Sequence, residues 1–337
     1  MSRIQPGSGF ISVAAAPFFD LHFFCSGDID TMKKTTHSLV AITALACAGA
    51  ASAQSSVSLY GVADMALAKV TGQSLRLAGA SPLTNGSSRI GFRGTEDLGG
   101  GLKASFNFEA QVNPETGAAA DPFFGRAANL SLSGGFGSVL LGRTLSPSFR
   151  AVTAWELTGA ANYNPVSSQF SYVGVNSRNN SQITYTTPSF GGVTATVAHV
   201  LKGNNADDVS KTEFNVIYRG GPLSASLAYN KLSNKDANHM VGAAYSFGQA
   251  RVAASYQDAT GAGRGKGFTL GGSIPAGPVS LILDVARDTE NKDTDLLLEA
   301  RYPLSKRTFL YAAHVRNGKG KAETDVNATL IGMRHNF

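Results

Sequence analysis

Between Leu102 and Gln111 apolar and polar residues alternate without a break. Leu102, Ala104, Phe106, Phe108 and Ala110 share one face, and Lys103, Ser105, Asn107, Glu109 and Gln111 share the other. A period of two is the signature of a β-strand with one greasy and one wet side. The split returns at Phe214, Val216 and Tyr218 against Glu213, Asn215 and Arg219, and at Leu296, Leu298, Ala300 and Tyr302 against Glu299 and Arg301. It is also read at Phe309, Tyr311, Ala313 and Val315 against His314 and Arg316, with the apolar set taken as the outer face. No stretch carries a helical period of useful length, so the chain is read as all-β.

Tight turns punctuate the alternation at Gly99, Gly135, Gly191, Gly221, Gly248, Gly277 and Ser305. Glycine and proline supply the backbone angles that short hairpins need. The spacings are 36, 56, 30, 27, 29 and 28 residues. A unit near 28 residues fits two strands of about ten residues, one tight turn and one longer loop. Polar segments at 201–211, 231–237, 258–266 and 287–294 supply the longer loops. Seven hairpins plus a first and a last strand make sixteen. The expected fold is a 16-stranded antiparallel transmembrane β-barrel with short turns at one rim and longer loops at the other. Only 15% of residues are charged, and no window holds the ~18 apolar residues of a spanning helix, which excludes a helical membrane bundle.

The N-terminus reads as a targeting segment. Met32-Lys33-Lys34 precedes the apolar run Leu39–Ala50, and Ala51-Ser52-Ala53 forms a small-x-small cleavage site. Residues 32–53 are thus expected to be a signal peptide, 1–31 an over-called start, and 54–337 the barrel. A lipoprotein signal ending at Cys47 is the rival reading. Both cysteines, Cys25 and Cys47, would leave with the signal, which excludes a disulfide scaffold and a thiolate metal site in the rest. Three basic and three acidic residues leave too, so the net charge of +6 is unchanged. For an exported chain this points to anionic solutes and lipopolysaccharide rather than nucleic acid. The last strand alternates Ile331, Met333, His335 and Phe337 up to a C-terminal aromatic.

The segments SSVSLYGVAD (55–64), SRIGFRGTEDLGGGLKASFNFE (88–109), SLSGGFGSVLLGR (131–143), YTTPSFGG (185–192), GPLSASLAYN (221–230), LSKRTFLYA (304–312) and GMRHNF (332–337) resemble the general porins of Gram-negative outer membranes, in the branch usual in beta-proteobacteria. The likeness covers essentially all of 55–337, although several outer loops are short. It implies a homotrimer in the outer membrane with a water-filled pore in each subunit, narrowed by an inward-folded third loop. It also implies passive diffusion of small hydrophilic solutes, and a terminal Phe337 read by the barrel-assembly machinery.

The 56-residue spacing holds one long insert, 144–177, read as the constriction loop without regular structure of its own. It carries Phe149, Trp155, Leu157, Phe170 and Tyr172, and its only charges are Arg150 and Glu156. Parity assigns Arg89, Arg93, Lys103, Arg178, Arg219, Arg251, Arg301, Arg316 and Arg334 to the lumen, against Asp64, Glu109, Glu213, Asp284 and Glu299. Arg89, Arg126 and Arg178 fall at similar heights on alternate strands, ~10 Å apart. By resemblance, porins of this branch keep a basic cluster on that wall, facing the loop. Arg178 is placed on the face of Gln182 and Thr184. Arg126 shares the parity of Leu130 and Leu132, so it needs an irregular strand start between Gly125 and Asn129 to turn inward. Arg143 has the same parity conflict. Glu156 is the expected acidic counterpart, and Glu109 a partial neutraliser. Closely spaced arginines concentrate anions, so an anion-preferring pore for small anionic or neutral solutes is expected.

No cofactor or metal site is expected. His199, His239, His314 and His335 have no nucleophile and orienting acid beside them, with His314 read as inward-facing and His335 as facing lipid, and no HExxH or phosphate loop is present. The alternatives are a substrate-specific channel, which would show an aromatic ladder where only Tyr60 and loop aromatics are seen, and a plugged adhesive or enzymatic barrel.

Overall fold

The computed structural model describes residues 56–80, 82–204, 208–318 and 326–337. The expected start, signal peptide and Cys47 lipid site lie outside them. Seventeen strands form one sheet: β1 (Ser56–Val70), β2 (Arg76–Ala78), β3 (Arg89–Gly99), β4 (Leu102–Gln111), β5 (Ala127–Gly134), β6 (Gly137–Leu145), β7 (Arg178–Thr186), β8 (Val193–Val200), β9 (Lys211–Gly220), β10 (Leu223–Leu232), β11 (Asn238–Phe247), β12 (Ala250–Asp258), β13 (Lys266–Ala276), β14 (Val279–Asp288), β15 (Asp293–Pro303), β16 (Thr308–Asn317) and β17 (Val326–Asn336). The three-residue β2 pairs only with the upper part of β1, leaving sixteen long strands. All pair antiparallel, and β1 pairs with β17 from Val62↔Asn336 to Val70↔Ala328, which closes the barrel. Closure removes the free edges that a lipid environment does not tolerate. All seven tight turns fall where the glycine and proline punctuation places them.

The outward face is apolar around the wall, with Leu130, Leu270 and Ile331 at 59%, 61% and 65% exposed. The inward face is polar and largely covered. One strand has the opposite parity to its sequence reading. Tyr311, Ala313 and Val315 of β16 are buried inside, while His314 and Arg316 pair with outward Leu298 and Leu296. Both faces of β16 carry apolar residues, so alternation alone could not orient it. The lumen therefore holds more aromatics than Tyr60 and the loop: Tyr311 and Phe309 line it as well.

The insert is not irregular. It contains α1 (Pro147–Trp155) and α2 (Pro165–Gly174), which closes through left-handed angles at Ser171, Tyr172 and Val173. Each helix opens on a capping side chain followed by proline. Ser146 Oγ accepts from Phe149 N–H (3.1 Å), and Asn164 Oδ1 accepts from Ser167 N–H (2.8 Å). This pairing of a polar N-cap with proline at the first helical position is a sequence-readable start signal.

The third loop folds into the barrel and is tied to the wall of β9–β12 and β15. Glu213 accepts from both the N–H (3.2 Å) and the hydroxyl (2.7 Å) of Ser148, placing a carboxylate at the positive end of α1. Asn215 Nδ2 and Ser226 Oγ donate to the carbonyls of Pro147 and Ala151 (2.7 Å each). Arg251 and Arg301 donate to those of Ala154 (3.2 Å) and Thr158 (2.6 Å). Trp155, Val152 and Val166 pack with Ala228, Met240 and Ala244 of the wall. A second loop intrudes that no local pattern in the sequence marks. Residues 83–88 of the first loop also turn inside: Thr84 and Asn85 are buried, and Asn162 of the third loop donates its N–H to the Asn85 carbonyl (3.0 Å).

Candidate functional site

A space of about 510 Å³ separates the third loop from the wall of β3, β5 and β7. Opposite the third loop it is lined by Gly86 and Ser87 of the first loop and by Arg89, Glu109, Gln111, Arg126, Leu145, Arg178 and Arg334 of the wall. The loop side offers Phe149, Gly159, Ala160, Asn162, Ser167, Tyr172 and Ser177. Arg126, Arg178 and Tyr172 also border a neighbouring space of about 700 Å³, lined in addition by Arg143, Asn180 and Lys211.

Arg89, the first residue of β3, points inward opposite Val62 and Gln111. Arg126 precedes β5. A tight turn from Pro122 to Gly125 delivers it, and its backbone N–H bonds the Glu109 carbonyl (3.1 Å) one rung beyond the regular ladder. Strict alternation therefore does not govern it, and its guanidinium reaches Glu109 (2.7 Å). Arg89 lies 3.5 Å from the same carboxylate, which also accepts from the Tyr60 hydroxyl (3.0 Å).

Arg178 reaches the cluster by a route that parity missed. Between Gly142/Thr144 and Gln182/Asn179 the register shifts, so Asn180 and Ser181 together face Arg143 across a β-bulge. Arg178 is therefore out of step with Gln182 and Thr184, and Asn179 takes the inward place instead. Arg178 forms the last rung, opposite Leu145, where both strands turn into the loop. Its Nε donates to the Arg126 carbonyl (2.8 Å) and its Nη1 to Ser177 Oγ (3.1 Å). Arg143, opposite the bulge, donates to the Gly125 carbonyl (2.5 Å) and to Asn180, on the outer side of the cluster.

Glu156 does not face these arginines. It is 3% exposed, and its carboxylate accepts from the N–H groups of Thr158 (2.6 Å) and Ala160 (2.7 Å) and from the Thr158 hydroxyl. It holds the loop's own turn. Tyr172 is the one titratable residue the loop brings to the constriction, and burial pushes its phenol above the usual range, so it stays neutral. The loop face opposite the arginines thus carries no charge.

Burial separates the two signs of charge in the lumen. Asp64, Glu299, Glu213 and Asp284 are between 0% and 4% exposed, whereas Arg93, Lys103 and Arg219 are open. Glu213 holds Lys211 (2.7 Å) and α1, and Glu299 holds Arg301. Asp64, Glu213 and Glu299 are engaged in fastening the first and third loops, while arginines border the open passage.

The profile of the Gram-negative porin family matches residues 38–322. Over 91% of this chain and the whole of the relative, the sequence is 35% identical to outer membrane porin protein 32 of Delftia acidovorans. It is 28% identical to the major outer membrane protein P.IB of Neisseria meningitidis over the same shares. An anion-selective porin from Comamonas acidovorans superposes with a TM-score of 0.70 at 29% identity, covering 84% of this chain and 100% of that one. A closed barrel of sixteen long strands, a helical loop folded into its lumen and an arginine-lined passage beside that loop agree with these matches. The chain belongs to the Gram-negative porins, the channel-forming β-barrels of the outer membrane.

Proposed function

We propose that this porin is a weakly selective diffusion pore whose constriction favours small anions. The observation that carries this reading is the placement of Arg89, Arg126 and Arg178 on one wall of the passage with a single carboxylate, Glu109, among them, opposite an uncharged loop face. Positive charge lining a narrow aqueous path raises the local anion concentration. Conduction needs sites that bind weakly, so the pore would pass small anions without holding them tightly. The Comamonas porin described as anion-selective supports the same sign. The test is the reversal potential of the purified protein in a planar bilayer under a KCl gradient. Reversal toward the chloride equilibrium potential is expected, and reversal toward potassium overturns the anion preference.

The same reading includes a homotrimer. Phe106, Phe108, Phe124 and Phe123 form a chain of ring contacts (5.8, 5.2 and 4.8 Å) across β4 and the second loop, next to outward Phe92 and Leu130. An aromatic patch of this kind suits a protomer contact. Lipopolysaccharide is the lipid partner proposed, because Lys231, Lys266, Arg287 and Arg316 sit on the outward face near the loop-side ends of their strands. Phe337 is proposed as the assembly signal. Catalysis finds no support from the histidines: His199, His314 and His335 lie outward, each beside a threonine hydroxyl at 2.8 to 3.0 Å.

A further inference from the structure

The arginines of the passage occupy alternate strands, and the series does not stop at β3. Going the other way around the wall from Arg89, the next alternate strand is β17, and there Arg334 borders the same space. On β1, between them, Asp64 lies directly opposite Arg334 in the register. Two inward neighbours of opposite charge would ordinarily pair. They do not. Among the described residues Arg334 makes no ion pair, and each oxygen of Asp64 already accepts a hydrogen bond. The Tyr311 hydroxyl donates to Oδ1 (2.6 Å), and the N–H of Gly86 in the first loop donates to Oδ2 (2.6 Å).

The partners Arg334 does have are neutral. Its Nη1 donates to Asn85 Oδ1 (2.9 Å), its Nε to Asn336 Oδ1 (3.3 Å), and its guanidinium carbon lies 5.9 Å from the centre of the Phe309 ring. Asn85 is fixed in turn, donating its N–H to the Tyr311 oxygen (3.0 Å) and its Nδ2 to the Tyr163 oxygen (3.0 Å) and to Glu299 Oε1 (3.3 Å). The first loop and β16 thus occupy the carboxylate and steer the arginine toward the passage.

We propose that Arg334 is a fourth selectivity-determining arginine of the constriction, and that Tyr311 and Asn85 are positioning residues that keep it from being neutralised by Asp64. The inference rests on the anion-preferring reading above. Its distinctive consequence is that removing one phenolic oxygen, with no change in formal charge, lowers anion preference. In Tyr311→Phe, Oδ1 of Asp64 loses its donor, and Arg334 is the nearest charged replacement across the register.

The experiment compares reversal potentials under a dilute KCl gradient for wild type, Arg334→Gln, Arg334→Lys and Tyr311→Phe. Each is first shown to be a folded barrel by heat-modifiable gel migration. A unit charge ~7 Å from the path, in water-like surroundings, changes an ion's occupancy about threefold. Potassium shifts in the opposite sense, so the expected result is a chloride-to-potassium permeability ratio lowered about sevenfold in Arg334→Gln, largely kept in Arg334→Lys, and lowered in the same direction in Tyr311→Phe. Arg334→Cys supplies a second route, since residues 54–337 hold no cysteine. A cationic methanethiosulfonate should raise its ratio and an anionic one lower it, within one channel. An anion-preferring wild type with Arg334→Gln and both thiol adducts at its reversal potential overturns the proposal. A lowered Arg334→Gln with Tyr311→Phe at the wild-type value overturns the positioning role. A wild type that reverses toward potassium fails the underlying reading instead, and the thiol adducts still show whether position 334 senses the path.

Discussion

The indole of Trp155 occupies the space over Gly242 where any other residue of β11 would carry its side chain. Gly242 points inward, paired with Ser226 and Ser255, and Trp155 is 1% exposed at the C-terminal end of α1. The glycine is thus a socket that fixes how far the third loop stands from the opposite wall. Gly242→Leu should overpack this contact by about 1–3 kcal/mol and push α1 off the wall, while the strands, whose ladder bonds are unaffected, still close. The expected outcome is a folded barrel with altered, noisier single-channel conductance and faster protease clipping within 146–177. Wild-type conductance and clipping would show that the socket does not set the loop.

Glu109 is the one acidic side chain among the arginines, shared by Arg89 at 3.5 Å and Arg126 at 2.7 Å. Glu109→Gln keeps the shape and the hydrogen bond from Tyr60 but removes a negative charge from the passage wall. A unit charge at ~7 Å through water is worth about 0.6 kcal/mol, or nearly threefold. Chloride gains by that factor and potassium loses by it, so the chloride-to-potassium ratio should rise about sevenfold, the reverse of neutralising an arginine. An unchanged or lowered ratio would show that Glu109 acts only by holding the two guanidinium groups in place.

Because these charges border water, salt should weaken their effect. The Debye length falls from about 10 Å at 0.1 M to about 3 Å at 1 M. The permeability ratio measured at a fixed concentration gradient should therefore decline toward unity as the mean KCl concentration is raised over that range. A ratio independent of salt would point to selection by direct coordination at a desolvated site rather than by the field of the wall.

Much of this arrangement is legible in the sequence. Period-two alternation bounded by Gly99, Gly135, Gly191, Gly221, Gly248, Gly277 and Ser305 gives the hairpins, because a lipid-spanning wall must alternate and a tight turn must use special backbone angles. Parity fails where a strand stops being regular or amphipathic. β16 carries apolar residues on both faces, since Tyr311, Ala313 and Val315 meet the intruding loops rather than water. Arg178 lies beyond a bulge at Asn180 and Ser181 that no glycine or proline of β7 announces, the one glycine at the shift, Gly142, standing on the paired strand. The two helices were readable in principle, as Ser146-Pro147 and Asn164-Pro165 are N-cap and proline pairs. The inward turn of residues 83–88 was not. It depends on long-range bonds from Gly86 to Asp64 and from Asn85 to Tyr311, and these have no local signature.

The seam of the barrel offers the last test. Gly61 and Phe337 exchange backbone hydrogen bonds, 3.0 Å from Gly61 N–H and 3.1 Å from Phe337 N–H, and the Phe337 ring lies over Gly61 on the outward face. The ring covers the seam, and the proposed assembly role of Phe337 is separable from that contact. The ring is 46% exposed, so its removal should cost the finished barrel only about 1 kcal/mol. Gly61→Leu displaces the ring but leaves the terminal residue intact. If Phe337 is an assembly signal, Phe337→Ala should lower the amount of barrel inserted in cells far more than it lowers the melting temperature of protein refolded in detergent. Gly61→Leu should do the opposite, lowering the melting temperature while cells still assemble it. Equal losses in both measurements for Phe337→Ala would mean that the residue serves the seam alone.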